Sequence, residues 1–322
     1  MNLKELNKNF GTQKKCVAYL EKIRWGKNPV CANCESPNVT KRKDIMRWHC
    51  NSCRKDYSVI MGTIFEGTRL PLPQFFQAMF IMNNAKMGIS ASEISRAVGI
   101  KYNTAWYICH RVRCAMINNE LRLEGVVEFD EAYMGGKARN KKTPINEANL
   151  ARMTSTRGRG TSKIPVVGAV EKKGKVYVKI IEKLTSRNLL AMLKKVVKTN
   201  ESIVITDDFR SYKAFDDEVE HITIKHSEGY GKGMRTINTI EGFWSIIKNG
   251  IKGSFRSVSK KYLPFYLAEF SYKYNNRHLQ KDAFLQLLKN AVVEEKHFNN
   301  YKPIGNPRDI VYNQQLNKVH LS

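Results

Sequence analysis

Three acidic residues stand where chemistry could take place. Asp130 ends a short apolar strand predicted at residues 125–130, and Asp207 ends another predicted at residues 202–207. If these strands are neighbours, the two carboxylates meet at the carboxyl edge of a sheet, where a crossing helix could add Glu241. Carboxylates placed so close together repel one another and need divalent cations, and hard oxygen ligands favour Mg²⁺ or Mn²⁺. The pattern therefore predicts two such ions and a phosphoryl-transfer reaction.

Other acids lie beside the first two candidates. Asp130 is flanked by Glu128 and Glu131, and Asp207 is followed by Asp208. Alternation along a strand does not decide between them, so Asp130 and Asp207 are favoured only by their positions at strand ends. The choice between Asp207 and Asp208 stays open.

The helix that contains Glu241 is predicted to begin at Asn238. Asn238 is a good N-cap residue, and Glu241 has the capping-box spacing, so capping is an alternative role for this carboxylate. Lys248 follows Glu241 by seven residues, or two helical turns, and shares its face of the helix. A cation at that position could hold a phosphate beside the metals.

Four of the seven cysteines form two CxxC pairs separated by fifteen residues. This spacing is typical of a four-thiolate zinc site, and a closed site of this kind is structural because no ligand position is left for substrate. The remaining cysteines fit a reducing compartment better than a disulfide framework. The predicted zinc ligands are Cys31, Cys34, Cys50 and Cys53.

The charge of the chain predicts a polyanionic partner. There are 55 Lys and Arg residues against 29 Asp and Glu residues, a formal net charge of +26 among 322 residues. Because the positive charge is spread along the chain and not confined to one amphipathic helix, nucleic acid is favoured over a membrane surface. No apolar run is long enough to span a bilayer, and the first ten residues lack an apolar signal segment. We expect a cytoplasmic, nucleoid-associated protein.

Residues 91–108 resemble a helix-turn-helix. A helix is followed by a turn that contains Gly99, and the second helix opens with polar side chains that could enter a major groove. An ordinary helical hairpin is the alternative. The predicted DNA contacts are Lys101, Tyr102, Asn103 and Thr104, with Arg111 and Arg113 on phosphates.

From residue 125 onward the predicted order is strand, hairpin, helix, strand, helix, strand, helix. This is the order of a ribonuclease H-like α/β core, a mixed sheet with helices on its faces. A basic, glycine-containing loop at residues 135–163 interrupts it and is expected to order on a phosphate backbone, or else to be merely solvated. We expect a helical lead-in and zinc ribbon at 1–66, a helix-turn-helix region at 67–122, a catalytic domain at 123–282, and a C-terminal helix with a basic tail at 283–322.

Several motifs together resemble the DDE transposases of bacterial insertion sequences, in the group with an N-terminal zinc ribbon. The resemblance covers about residues 15–280, and its motifs are CANC with CNSC, FDEAYMGGK from Phe129, Thr206-Asp207, NTIEGFWSIIKNGIKG from Asn238, and YNNR from Tyr274. It implies a ribonuclease H-like core, Mg²⁺-dependent DNA cleavage and strand transfer, and binding of terminal inverted repeats. It also implies the catalytic triad Asp130, Asp207 and Glu241, with Lys248 as the basic residue that follows it.

We therefore predict a DNA transposase that acts on double-stranded DNA as a homodimer or larger assembly. Two alternatives remain. One is a DNA-binding regulator derived from a transposase, and the other is a nuclease with the same core but no strand transfer.

Overall fold

The computed structural model describes residues 1–42, 46–118, 120–134, 163–181, 183–224, 236–279 and 282–293, with residues 296 and 299. The chain divides into two compact units, Met1–Ile117 with Asn276–Ser322, and Asn118–Asn275. The division into four functional segments stays a prediction. The basic loop expected at 135–163 lies outside the described residues except for Lys163, and so does most of the C-terminal tail.

The helices are α1 (Leu3–Phe10), α2 (Gln13–Trp25), α3 (Leu72–Asn84), α4 (Ala91–Val98), α5 (Tyr102–Ala115), α6 (Ser186–Val196), α7 (Asn238–Gly250), α8 (Leu263–Asn275) and α9 (Ala283–Ala291). The strands are β1 (Val39–Arg42), β2 (Arg47–Cys50), β3 (Asp56–Tyr57), β4 (Leu123–Met134), β5 (Ile164–Glu171), β6 (Val176–Ile180), β7 (Val197–Asp207) and β8 (Glu220–Ile224). Among the described residues, no helix is both long and apolar enough to cross a bilayer.

The first unit combines a small antiparallel sheet with a helical core. Strands β1, β2 and β3 pair in that order, and Trp48 faces Tyr57 across the β2–β3 pair. In the helical part, the ring of Phe10 from α1 meets Phe76 from α3 and Phe284 from α9 edge to face. These aromatic contacts bring the helix after residue 282 into the same core as the N-terminal helices.

Helices α4 and α5 form the predicted helical pair with a glycine turn. Ser90 and Glu93 make a capping box at the start of α4. Gly99 closes this helix at a φ of +72°, a left-handed conformation that glycine adopts without the steric cost of a Cβ. The chain can therefore turn at once into α5.

The second unit is a mixed five-stranded sheet with helices on its two faces. The strand order is β6-β5-β4-β7-β8, with β5 antiparallel to both of its neighbours and with β4, β7 and β8 parallel to one another. The expectation that the strands of Asp130 and Asp207 are neighbours is confirmed by the β4–β7 pairing. The prediction that Asp130 ends its strand was wrong, because pairing with β5 extends β4 to Met134. The fold is the predicted mixed α/β sheet flanked by helices.

Each face of this sheet is covered by a different part of the chain. Ile240, Phe243 and Ile247 of α7 pack with residues of α8 and of the sheet in one cluster. Leu189 and Leu193 of α6 pack on the opposite face with other sheet residues. Because α7 covers the face on which Ala132 and Met134 lie, it is the helix beside Asp130, which alternates onto the same face of β4.

Apolar periodicity predicts a helix over residues 186–198, but α6 ends at Val196, and Val197 and Lys198 begin β7. Val197 pairs with Leu123 at the start of β4, so pairing with the central strand outweighs the helical periodicity at these two positions.

Candidate active site

The acid cluster lies where the parallel pairing of β4 and β7 ends. Glu128 faces Ile205 in this register, so Asp130 and Asp207 lie two residues further along their strands. One carboxylate oxygen from each of Asp130, Glu131 and Asp207 lies within 4.8 Å of the others. Asp208 is exposed and is not part of this cluster.

The environment of the cluster favours a cation. Burial, together with the charges of Glu131 and Asp207, raises the pKa of Asp130 to about 7. The hydroxyl of Tyr212 donates to Glu131 at 3.1 Å, and the backbone N–H of Phe209 donates to Asp207 at 3.1 Å. Opposite oxygen ligands of Mg²⁺ are about 4 Å apart, so a small closure would let these three carboxylates surround one ion. The donor set therefore fits a hard divalent cation.

Helix α7 is hydrogen-bonded to the cluster through Trp244. The indole Nε1 donates to Oδ2 of Asp130 at 2.9 Å, and the ring is 3% exposed. Gly168, which pairs with Asp130 across the β4–β5 ladder, leaves room for this ring. A Cβ at position 168 would lie 2.7 Å from the Trp244 ring and 2.9 Å from Cδ1 of Ile240.

The start of α7 is held by a carboxylate from the sheet. Glu128 accepts a hydrogen bond from Oγ1 of Thr239 at 2.7 Å and another from the backbone N–H of Ile240 at 2.9 Å. Its side chain is fully buried, and Nζ of Lys172 lies 3.8 Å away. Burial raises the pKa of Glu128, and the two hydrogen bonds oppose that shift.

This contact replaces the capping box expected within the helix. Asn238 is already the first helical residue, Ile237 precedes it as the N-cap, and no N-cap side chain makes a capping hydrogen bond. Glu128 caps the helix instead, because its oxygen accepts a hydrogen bond from the backbone N–H of Ile240, which has no partner within the helix. The prediction that Asn238 is the N-cap was wrong, and the structure gives no support to capping as the alternative role of Glu241.

Glu241 lies in the first turn of α7 and is exposed. The structure does not place it in the cluster of Asp130, Glu131 and Asp207. Within the described part of the chain, no hydrogen bond or ion pair engages its carboxylate. Glu241 and Trp244 are three residues apart and are therefore neighbours on the helix surface. Glu241 thus lies one helical turn before the residue that donates to Asp130. Lys248 is also exposed, two turns further along α7.

The four predicted zinc ligands converge in the first unit. The Sγ atoms of Cys31 and Cys53 are 3.7 Å apart, and those of Cys34 and Cys50 are 3.6 Å apart. Sulfur atoms around a tetrahedral zinc lie about 3.8 Å from one another, whereas a disulfide bond is about 2 Å long. A hydrogen bond from the backbone N–H of Cys53 lowers the pKa of Cys50 to about 6, which favours the thiolate that a metal requires. These four thiols fit a structural zinc.

The predicted DNA contacts of α5 fall into two groups. Lys101 and the three residues that open the helix, Tyr102, Asn103 and Thr104, are all exposed. Arg111 is 3% exposed, and its guanidinium donates to the carbonyl oxygen of Glu66 and lies over the rings of Phe75 and Tyr107. Arg113 is likewise buried. The expectation that these two arginines lie on the surface is corrected, because both turn into the core.

The other residues of the site have weaker signals in the sequence. Glu131 and Glu128 were considered only as rivals of Asp130, whereas the structure places one in the cluster and the other beneath α7. Ile240, Phe243, Trp244 and Ile247 recur at helical spacing as one apolar face, a pattern that gives no partner for the polar Nε1 of Trp244. A glycine inside a predicted strand is a signal of close approach, and Gly168 could have been noted on that ground.

The four cysteines of the first unit and the acidic cluster on the mixed α/β sheet of the second unit are two donor sets, each of which fits a metal ion. Residues 122–275 match the family described as the ISXO2-like transposase domain, and residues 11–56 match the transposase zinc-ribbon domain. The chain belongs to this zinc-ribbon family of ISXO2-like transposases, the IS1595 group.

Relatives agree with this assignment. The chain is 28% identical over 275 residues to an uncharacterised protein in transposable element ISH50 of Halobacterium salinarum. This alignment covers 82% of this chain and 91% of the relative. It is 33% identical over 124 residues to an uncharacterised transposase-like protein of Haemophilus influenzae, which covers 38% of this chain and 99% of the relative. A solved structure, a pre-cleavage Mos1 transpososome, matches at 10% identity with a TM-score of 0.26, covering 66% of this chain and 76% of that chain. We base no argument on a structural likeness of this size.

Proposed function

We propose that this transposase cuts DNA at the ends of its element and joins the freed ends to target DNA. The observation that supports this most is the convergence of Asp130, Glu131 and Asp207 at the junction of β4 and β7. The sheet order also supports a ribonuclease H-like core, with three antiparallel strands followed by two parallel strands and a helix at the edge of the site. We keep Asp130, Asp207 and Glu241 as the catalytic residues.

In this proposal, Asp130 and Asp207 hold divalent cations together with Glu131, and Glu241 completes the site from α7. A pair of Mg²⁺ or Mn²⁺ ions, when bound, would activate the attacking oxygen and stabilise charge on the transferring phosphoryl group. This role of Glu241 is supported by its place one helical turn before Trp244, whose indole donates to Asp130. Lys248, exposed on the same helix, would hold a DNA phosphate beside the metals.

The reaction has two displacements. In the first, the oxygen of water bonds to phosphorus at the element's end and the bond from phosphorus to the 3′-oxygen breaks, which leaves a free 3′-hydroxyl. In the second, this 3′-oxygen bonds to a target phosphorus and displaces a target 3′-oxygen, which leaves as a hydroxyl. No covalent bond to the protein forms in either step.

Double-stranded DNA is the proposed partner, both as the terminal inverted repeats and as the target. The exposed residues 101–104 at the start of α5 support a helix-turn-helix that reads a major groove, and Tyr102 is 54% exposed there. The net charge of +26 supports contacts to the phosphate backbone. Because two ends must be held together, we propose a homodimer or larger assembly on DNA, and a cytoplasmic protein associated with the nucleoid.

The test uses DNA that flanks the gene in its own genome, where the cognate ends should lie. Purified protein is incubated with this DNA and Mg²⁺ or Mn²⁺, and cleaved and joined products are separated by electrophoresis. We expect both products with the wild type, and a loss of at least a hundredfold in Asp207→Asn and Glu241→Gln. Asp208→Asn is the matched control, because Asp208 is exposed outside the cluster, and it should retain activity.

The outcomes separate the alternatives. Cleavage without joined products would indicate a nuclease. DNA binding by wild type and variants, with no cleavage by either, would indicate a regulator. Equal loss in Asp207→Asn and Asp208→Asn would contradict the assignment of Asp207.

A further inference from the structure

The start of α7 is fixed by a residue that the proposed reaction does not use. Glu128 is buried beneath the first turn of the helix, and its two carboxylate oxygens have different partners there. Oε1 accepts from the hydroxyl of Thr239, and Oε2 accepts from the backbone N–H of Ile240. Within the part of the chain that the structure describes, no N-cap side chain makes a capping hydrogen bond at this end of the helix.

These two bonds act on the backbone immediately before Glu241. Glu128 is two residues from Asp130 on β4, and both side chains project from the same face of the strand. Asp130 accepts from Trp244 one turn further along α7. The helix is therefore tied to β4 at two points, on either side of Glu241.

Lys172 makes a further contact with Glu128 and with the residues that precede α7. Nζ of Lys172, which follows β5, lies 3.8 Å from Oε1 of Glu128 and donates to the hydroxyl of Thr236 at 3.3 Å. A buried carboxylate is costly without hydrogen bonds or a nearby cation, and this site provides both. The contacts are specific enough to set the position and direction of the first turn.

We propose that Glu128 is a positioning residue, which sets the place of Glu241 relative to the cluster of Asp130, Glu131 and Asp207 through Thr239 and Ile240. This inference rests on the proposed function, because it assumes that Glu241 helps to hold a metal at that cluster. Glu128 itself does not touch substrate or metal. Its effect reaches the site only through the backbone of α7.

The experiment removes one hydrogen bond and leaves the carboxylate in place. Thr239→Val has nearly the same shape as threonine but no hydroxyl donor, and Thr239→Ser keeps the donor as a matched control. Mn²⁺ binding to the purified protein is measured by calorimetry, alongside the melting temperature and the cleavage rate. We expect Thr239→Val to weaken Mn²⁺ binding about tenfold, the size of one lost hydrogen bond to a charged group, and Thr239→Ser to bind within about twofold of the wild type.

The same substitution made in a Glu241→Gln variant shows whether the change in Mn²⁺ affinity depends on Glu241. In Glu241→Gln, adding Thr239→Val should change Mn²⁺ affinity no further, because the group being positioned has already been altered. Glu128→Gln should behave like Thr239→Val wherever it folds. A lower melting temperature with unchanged Mn²⁺ affinity would overturn the proposal, and so would an equal loss of affinity in both backgrounds. If the wild type itself neither binds Mn²⁺ nor cuts DNA, the proposed function fails first and this inference fails with it.

Discussion

The indole Nε1 of Trp244 donates a hydrogen bond to Oδ2 of Asp130 at 2.9 Å. This bond joins the helix that contains Glu241 to the strand that contains the first acid of the cluster. It also leaves the second oxygen of Asp130 available for a cation. The two residues are 114 positions apart in the chain, so the pairing depends on the whole of the intervening fold.

Trp244→Phe removes this donor while keeping an aromatic ring against the sheet. We expect metal-dependent cleavage to fall about tenfold, because hydrogen bonds to charged groups contribute about 1.5–3 kcal/mol and Asp130 would lose its fixed orientation. The rate is measured at saturating DNA over a range of Mn²⁺ concentrations. Phe243→Leu is the control for lost packing, since the Phe243 ring packs on the rings of Trp244 and Tyr274 but carries no hydrogen-bond donor. Equal losses in both variants would contradict a specific role for the Trp244 hydrogen bond.

Gly168→Ala should disturb the packing of Trp244 on the sheet from the neighbouring strand, β5. The added Cβ would lie 2.7 Å from the Trp244 ring, so either the helix or the strand must shift. We expect a loss of about 1–3 kcal/mol in the free energy of unfolding, measured by urea denaturation. The same substitution at Gly242, which meets nothing within 4 Å on α7, is the control. It should stabilise the helix by about 0.5–1 kcal/mol, and destabilisation of both variants alike would count against the crowding argument.

The sequence alone predicted most of the second unit, because its signals are local. Asp130 in β4 and Asp207 at the end of β7 both follow apolar runs, and a short turn joins β5 to β6. Such patterns are set by neighbouring residues and by burial on a sheet. The four cysteines were equally predictable, since a zinc site requires a fixed spacing of soft ligands.

What could not be predicted depends on contacts between distant parts of the chain. The hydrogen bond from Ile240 to Glu128 joins residues 112 positions apart, and no local pattern reveals that a strand would cap this helix. The burial of Arg111 has the same cause, because its partner, the carbonyl of Glu66, lies 45 positions away. Helical spacing placed Arg111 on α5 correctly but could not show which face of α5 meets the core.

The ribbon should lose its structure without zinc. Cys34→Ser removes one of the four thiolates, and we expect the variant to retain much less than one zinc per chain by elemental analysis, where the wild type retains about one. Trp25, Trp48 and Tyr57 pack edge to face beside the cysteines, so tryptophan fluorescence should also change. Cys16→Ala is the matched control, because Cys16 is buried in α2 away from the cluster and should leave the zinc content unchanged. Equal zinc in Cys34→Ser and the wild type would contradict the four-thiolate site.

His110 should make the protein less stable in mild acid. The side chain is fully buried in α5 beside the ring of Trp106, and burial, with the positive charge of Arg113, lowers the pKa of His110 from 6.5 to about 2. Below pH 6.5 the unfolded chain binds a proton at His110 that the folded chain does not accept until the pH approaches 2. Stability from this residue is therefore complete above pH 6.5 and decreases as the pH falls through this window, by up to about 1.4 kcal/mol per pH unit.

The measurement is the free energy of unfolding, from urea titrations at about pH 7 and about pH 5. His110→Leu removes the titrating group, so its stability should decrease less between these two pH values than that of the wild type. The same substitution at the exposed His278 should leave the wild-type pH dependence in place. The difference between the two variants is the quantity that tests His110, because carboxylates elsewhere in the chain also titrate in acid and contribute to the absolute slope. If His110→Leu and His278→Leu lose stability in parallel, the buried imidazole is not the source of the acid sensitivity.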